Sequence, residues 1–323
     1  MIADFPPIRG IEKPRILFTG GGGAGSEALN RIFRDRYDIF FADANYLSRP
    51  NGIDVSQWFE IPVAGAAQFS ASILELCKTL SINLLVPGVD EELVKCSRLE
   101  RFDNFDVLLP AEQFIETHLD KMLSNISLNQ SLIPAPKTVS ADDGSLDFPC
   151  IVKPKTGRGS RNVAEVMSIE ELNSHILLSR LEKEIFVLQE LLQGEEFTIM
   201  MLADRNCNLR AVVPILVKTK QGITIEAITC YDPIVINSCK TIHNKMPTRG
   251  YYNIQLIKTN EGFAKPFEIN PRISTTACLC AASGIDFLGL FLGIVGGAQA
   301  KGSLSEFKDG VRLKRSWYNE FSN

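Results

Sequence analysis

Between residues 15 and 109, short apolar runs alternate with stretches of helical spacing, and this alternation constrains the fold more than any other feature. Arg15–Thr19 reads as a buried strand. It ends in Gly20–Gly23, Ala24 and Gly25, and a helical pattern comes next at Ser26–Phe33. Asp38–Ala42 is a second apolar run, ending at Asp43. Ser70–Leu80 has helical spacing, and Asn83–Val86 is a third strand, closed by Pro87-Gly88. Asp90–Glu100 reads as a helix and Val107–Leu109 as a strand. A βαβ alternation of this kind requires a parallel sheet with helices on its faces, here ending near residue 112.

Beyond that point the pattern changes. Ala111–Asn129 reads as helical, and Ile133-Pro134-Ala135-Pro136 as a turn or extended segment, because proline restricts itself and its predecessor. Pro149–Pro154 is a strand and Lys155–Asn162 a glycine-rich basic loop. Ser168–Arg180 is a helix with Ser168 as cap and Glu171 three residues on, a capping-box pattern. Further strands are expected at Phe186–Glu190, Glu196–Leu202, Ala211–Val217, Tyr252–Thr259 and Pro266–Ile269. The fold class is therefore α/β, turning to α+β in the C-terminal part.

A chain of 323 residues exceeds one ordinary core, so two domains, or one with sub-lobes, are expected. A net charge of −4 implies no general affinity for nucleic acid or an anionic membrane surface. The eight cysteines follow no metal-ligand spacing and read as free thiols of a reducing cytoplasm. The first residues lack the basic and apolar regions of a signal peptide. The longest apolar stretch, near Ile285–Ala298, is too short to span a bilayer and reads as a buried helix.

Four segments could carry chemistry. Gly20, Gly22 and Gly25 match G-x-G-x-x-G between a strand and a helix, with Asp43 18 residues later, where a dinucleotide fold places its ribose acid. The competing reading is a tight strand-to-helix turn, and it is preferred because the remainder of the chain does not look like a dehydrogenase. The second segment runs from Ile151 through Lys153, Gly157, Gly159 and Ser160 to Val163. A lysine at a strand end opens into a loop whose backbone N–H groups can wrap phosphate oxygens, with Asn162 able to adopt a left-handed conformation. It is not a Walker loop. The third is Glu190-Leu191-Leu192 and then Glu196, which could offer backbone groups to an adenine edge and an acid to ribose hydroxyls. The fourth is Gln255 with Glu268-Ile269-Asn270-Pro271-Arg272. Glu268 and Asn270 share one face of a strand, and hard oxygen donors there suit Mg²⁺ that also takes phosphate oxygens. Arg272 comes directly after them as a fixed cation for carboxylate or phosphate.

In this order, these segments resemble the ATP-grasp superfamily, in particular enzymes like the large subunit of carbamoyl phosphate synthetase. The resemblance covers nearly the whole chain. It implies a Rossmann-like pre-ATP-grasp domain over residues 1–112, a lid and central subdomain over 113–185 and a C-terminal ATP-grasp subdomain over 186–323. It implies ATP binding through Lys121, Ile151, Lys153, Gly157, Gly159, Ser160, Glu190, Leu191, Leu192 and Glu196. Mg²⁺ (or Mn²⁺) would be held by Gln255, Glu268 and Asn270, with catalytic roles for Lys153 and Arg272. Gly22 and Gly23 would join Arg272 in a substrate pocket. Lysines stand at 121 and 153, where the synthetase halves tend to have arginine, and no glutaminase motif occurs. A stand-alone carboxylate–amine (or thiol) ligase acting through an acylphosphate is therefore expected, with small-molecule substrates, no nucleic-acid or membrane partner, and a homodimer allowed. The rivals are an inactive ATP-binding regulatory protein, a carbamoyl phosphate synthetase-type half and a dinucleotide-dependent oxidoreductase. His118, His175 and His243 read as surface residues outside any catalytic context.

Overall fold

The computed structural model describes residues 3, 5–6, 12–101, 104–142, 146–294, 304 and 306–316. Strand β1 (Arg15–Thr19) is buried from Ile16 to Thr19, as a central strand covered on both faces must be. Its side chains divide by parity. Ile16 and Phe18 enter one apolar core, and Leu17 enters another on the opposite face. After α1 (Ser26–Phe33) come β2 (Asp38–Asp43), β3 (Trp58–Glu60), α2 (Phe69–Thr79), β4 (Leu84–Val86), α3 (Leu93–Ser97) and β5 (Asp106–Val107). The five strands form one parallel sheet in the order β3-β2-β1-β4-β5. β3 falls outside the sequence reading because three edge residues, Trp-Phe-Glu, are too few to show a period.

The helical stretch expected over Ala111–Asn129 is broken in two, α4 (Glu112–Leu119) and α5 (Lys121–Gln130). Asp120 is extended, and its carboxylate accepts from the N–H groups of Met122 (2.7 Å) and Leu123 (3.0 Å), so it caps α5. The break makes Lys121 the first residue of α5. Next comes a four-stranded antiparallel sheet, in the order β6-β9-β7-β8, from β6 (Thr138–Ser140), β7 (Cys150–Pro154), β8 (Ala164–Val166) and β9 (Phe186–Glu190). Helix α6 (Ile169–Ser179) covers one face, with Leu172 packed among Cys150, Val152, Phe186 and Leu188. Ser168 caps it through the Glu171 N–H. The Glu171 carboxylate returns to the N–H of Met167, one residue earlier than a capping box requires.

The third sheet is antiparallel and six-stranded, ordered β14-β13-β10-β11-β12-β15. It contains β10 (Gly194–Ala203), β11 (Leu209–Gln221), β12 (Ile223–Thr229), β13 (Gly250–Thr259), β14 (Ala264–Asn270) and β15 (Arg312–Lys314). Parity again decides the cores. Phe197, Ile199 and Met201 pack toward α7 (Pro233–Lys245), whereas Met200 and Leu202 join Ile16, Phe18 and Phe33 in the core shared with the parallel sheet. Helix α8 (Ala277–Ala282) lies against α1 there. The apolar stretch read as one buried helix is divided. Ile285 ends the loop after α8, α9 covers Phe287–Leu292 and is buried, and residues 295–298 lie outside the described residues. Among the described residues no helix is long and apolar enough to cross a membrane.

Candidate active site

The four-stranded and six-stranded sheets face each other across a cleft of about 430 Å³. Strand parity aims the contribution of the four-stranded sheet. Cys150 and Val152 of β7 belong to that sheet's own core, so Ile151 and Lys153 face the cleft. Lys153 is 3% exposed. Its Nζ donates to Gln189 Oε1 (2.9 Å) and to the Phe267 carbonyl (3.3 Å). Burial pushes its pKa down to about 8, with Lys121 and Lys220 adding to the depression and Glu268 opposing it.

The loop after Lys153 begins fixed and ends in unusual backbone. Lys155 N–H donates to Ile185 O, and its carbonyl accepts from Lys121 N–H, both at 2.7 Å. Gly157, Gly159, Ser160 and Asn162 all have positive φ, and a side chain at either glycine would meet open space. Lys121 Nζ donates to the Gly157 carbonyl (3.0 Å) and stands 3.9 Å from Glu268 Oε1. Arg158 reaches Glu91, in the helical turn after β4, at 3.3 Å.

On the facing sheet, Gln255 of β13 lies directly opposite Glu268 of β14, and Asn253 opposite Asn270. Asn270 donates through its amide nitrogen to Asn253 Oδ1 (3.4 Å), and Gln255 Oε1 accepts from Lys220 (3.5 Å). Gln255, Glu268 and Asn270 therefore offer one carboxylate and two amide oxygens. No cluster of three His, Cys, Asp or Glu residues occurs among the described residues. This donor set is too poor for an all-protein cage. It fits magnesium, which takes one or two carboxylates and completes its shell with phosphate oxygens and water.

Every site residue expected from sequence to bind nucleotide or metal lines this cleft: Lys121, Ile151, Lys153, Gly157, Gly159, Ser160, Glu190, Leu191, Leu192, Glu196, Gln255, Glu268 and Asn270. The two acids of the third segment are already engaged. Glu190 accepts from the Lys137 N–H (3.1 Å) and lies 3.5 Å from Lys265, and Glu196 pairs with Lys220 at 2.7 Å. Arg272 also lines the cleft, and its guanidinium is bonded to Asp90, which lies beyond the end of β4. Gly22 and Gly23 are not among the lining residues; a Cβ at Gly22 would collide with Ser48. Asp43 accepts from Gly22 N–H and Asn45 N–H, both at 3.0 Å, so it closes the glycine turn.

Sequence reasoning passed over three contributors. Lys220 lies near the end of β11, where exposed alternation carries no sign of a partner 24 residues away. Asp90 and Arg315 act across the fold, and nothing local marks them. Two of the histidines also differ from expectation. His118 and His243 are buried, bonded to Ser124 Oγ (2.8 Å) and to Tyr252 Oη (2.9 Å), and among the described residues no histidine lines the cleft.

Residues 182–316 match a family model described as ATP-grasp in the biosynthetic pathway with Ter operon. No curated protein matches the chain. Among solved structures, L-amino acid ligase from Bacillus licheniformis superposes with a TM-score of 0.67 at 14% identity, over 87% of this chain and 74% of that one. The ADP complex of N5-carboxyaminoimidazole ribonucleotide synthetase gives 0.66 at 13% identity, over 96% and 81%. An ATP-type complex of biotin carboxylase from Campylobacter jejuni gives 0.65 at 12%, over 90% and 73%. The chain therefore shares the fold of these enzymes over nearly its whole length, and residues 182–316 match an ATP-grasp family model.

Proposed function

We propose that the chain is an ATP-dependent carboxylate–amine ligase that works through an acylphosphate. The observation that carries this reading is the convergence of Lys121, Lys153 and Lys220 with Gln255, Glu268 and Asn270 on one cleft between two sheets. Three ammonium groups suit a triphosphate, and a single carboxylate with two amides suits magnesium shared with it. The relatives of like fold include two named as complexes with ADP or an ATP-type nucleotide and one named as an amino acid ligase. We take residues 1–112, 113–185 and 186–323 as the working domains. The eight free cysteines suit a reducing compartment, which we take to be the cytoplasm.

In the reaction proposed, a substrate carboxylate oxygen attacks the γ-phosphorus and ADP leaves. The amine then attacks the acyl carbon, phosphate leaves, and the amine gives up a proton. Lys153 is held in place before nucleotide arrives, by Gln189 and the Phe267 carbonyl, so little reorganisation is required of it. Lys121 orients the Gly157 carbonyl and with it the phosphate loop. Lys220 releases Glu196 to the ribose as it turns to the phosphates. Leu191 and Leu192 offer backbone groups to the adenine edge. Magnesium, when bound, supplies charge neutralisation between the phosphate oxygens. Arg272, braced by Asp90, faces the transferred phosphoryl group and the acid substrate.

The test is ligand-dependent thermal stability. MgADP at about 100 times its Kd adds about 2.7 kcal/mol and raises the Tm by a few degrees, whereas NAD leaves it unchanged. Stabilisation by NAD alone would return the glycine loop to a dinucleotide role.

A further inference from the structure

Arg315 directly succeeds β15, and its main chain donates to the Ile225 carbonyl at 3.0 Å. Its guanidinium is bonded to three backbone carbonyls from three separate parts of the chain. Nε donates to Thr224 at the start of β12 (2.9 Å), Nη2 to Thr275 before α8 (2.6 Å), and Nη1 to Ala24 of the glycine turn. Thr224 and Thr275 line the cleft, together with Ser274 and Thr276. Among the described residues no carboxylate forms an ion pair with Arg315. The wall it joins is tight: a Cβ on Gly25 would stand 3.0 Å from the Thr275 carbonyl and 3.8 Å from Cys278 Sγ. Ser274 and Thr276 are tied through their hydroxyls at 2.8 Å.

We propose that Arg315 is a positioning residue that assembles the acid-substrate wall of the cleft by clamping the Gly20–Gly25 turn, the Ser274–Thr276 turn and the head of β12 together. This rests on the ligase reading above. A planar fork with five N–H donors can serve three divergent carbonyls at once, and an ammonium group cannot hold the same geometry. A guanidinium with no carboxylate partner among the described residues also gives this end of the cleft a positive field, which selects an anionic carboxylate substrate over a neutral one. Lys121, Lys153, Glu190 and the 157–160 loop lie on segments that Arg315 does not touch, and its one link toward the nucleotide end is Thr224, paired with Lys220, so the clamp acts chiefly on the acid side.

The experiment compares the full chain with R315A, R315Q and R315K. Amides at Gly21, Gly22 and Gly23 are hydrogen-bonded in the turn, as is Ala277 after the second turn, so hydrogen exchange reads the clamp directly. In R315A these amides exchange at least about tenfold faster while those of β10 and β13 do not change, and R315K falls between. MgADP affinity by calorimetry stays within about threefold in every variant, and with an acid that the wild type turns over, KM for that acid rises about tenfold or more in R315Q and less in R315K. Unchanged exchange in both turns would overturn the proposal, as would a loss of MgADP affinity matching the rise in acid KM. Should R315A fail to fold, the R315Q and R315K measurements decide. A wild type that does not bind MgADP removes the ligase reading alone, and the exchange data still decide whether Arg315 is the clamp.

Discussion

Lys153 Nζ lies 3.3 Å from the carbonyl oxygen of Phe267 and 5.4 Å from the centre of its ring, so the buried cation of the four-stranded sheet rests on the residue next to Glu268. Burial lowers this ammonium from an ordinary 10.5 to about 8. A base with a lowered pKa destabilises the fold while it is charged. The unfolded chain keeps the proton between about 8 and 10.5, so this group makes stability rise with pH across that window. Phosphate binding acts in the opposite direction by restoring the charge. At pH 8, MgADP binding therefore takes up about half a proton at Lys153, and affinity falls as pH rises further. Calorimetry in buffers of differing ionisation enthalpy measures that uptake, and K153M abolishes it. Equal proton uptake by K153M and wild type would assign the protonation elsewhere.

Glu268 stands opposite Gln255 and 3.9 Å from Lys121. Replacing it with Gln keeps the shape and removes the only carboxylate in the expected magnesium set. Turnover should fall by about 10²-fold or more, with the Tm nearly unchanged. Wild-type phosphate release from E268Q with a verified substrate would refute the metal assignment.

Glu92 is a separate probe of the N-terminal sheet. It is buried and accepts from Thr19 Oγ1 (2.5 Å) and from the N–H groups of Gly88 and Val89 (3.0 Å each). Burial raises its pKa from 4.5 to about 7 in spite of these bonds. An acid so raised binds its proton more tightly when folded, so stability is lost as pH climbs from about 4.5 to about 7. The loss from this group is about 3 kcal/mol. Denaturant titrations at pH 5 and 7.5 should show that slope in wild type and a flatter one in E92Q. Identical slopes would mean that Glu92 is ionised throughout.

The 155–163 loop carries positive φ at Gly157, Gly159, Ser160 and Asn162 and is held to the rest of the protein by Lys121 and Arg158. Closure over a nucleotide would shield the acylphosphate from water. Peptides covering 155–163 should therefore gain hydrogen-exchange protection with a tightly bound ATP analogue. Equal protection in both states would exclude a closing lid.

Elements with strong local signals were legible in the sequence. β1 and α1 begin and end where their apolar patterns do, and the Glu-x-Asn spacing located the face opposite Gln255. What escaped depended on distance or on weak punctuation. The helix break at Asp120 turns on a cap rather than on periodicity. The Asp232-Pro233 pair, a cap with proline at the first helical position, was a readable signal for α7 that the sequence reading passed over. Burial of His118 and His243 depends on packing partners that composition does not name. Arg315 meets Ala24 across 291 residues, and Lys220 meets Glu196 only because β10 and β11 pair; no local pattern encodes either contact.

The acylphosphate is the step on which the proposed reaction turns, and isotope transfer tests it most directly. The acid that most stimulates phosphate release from ATP is supplied with both carboxylate oxygens as ¹⁸O, and the released phosphate is analysed by mass. Passage through an acylphosphate moves one labelled oxygen from the acid to phosphate in each turnover, with ADP as the other product. Unlabelled phosphate, or release of AMP and pyrophosphate in place of ADP and phosphate, would contradict it.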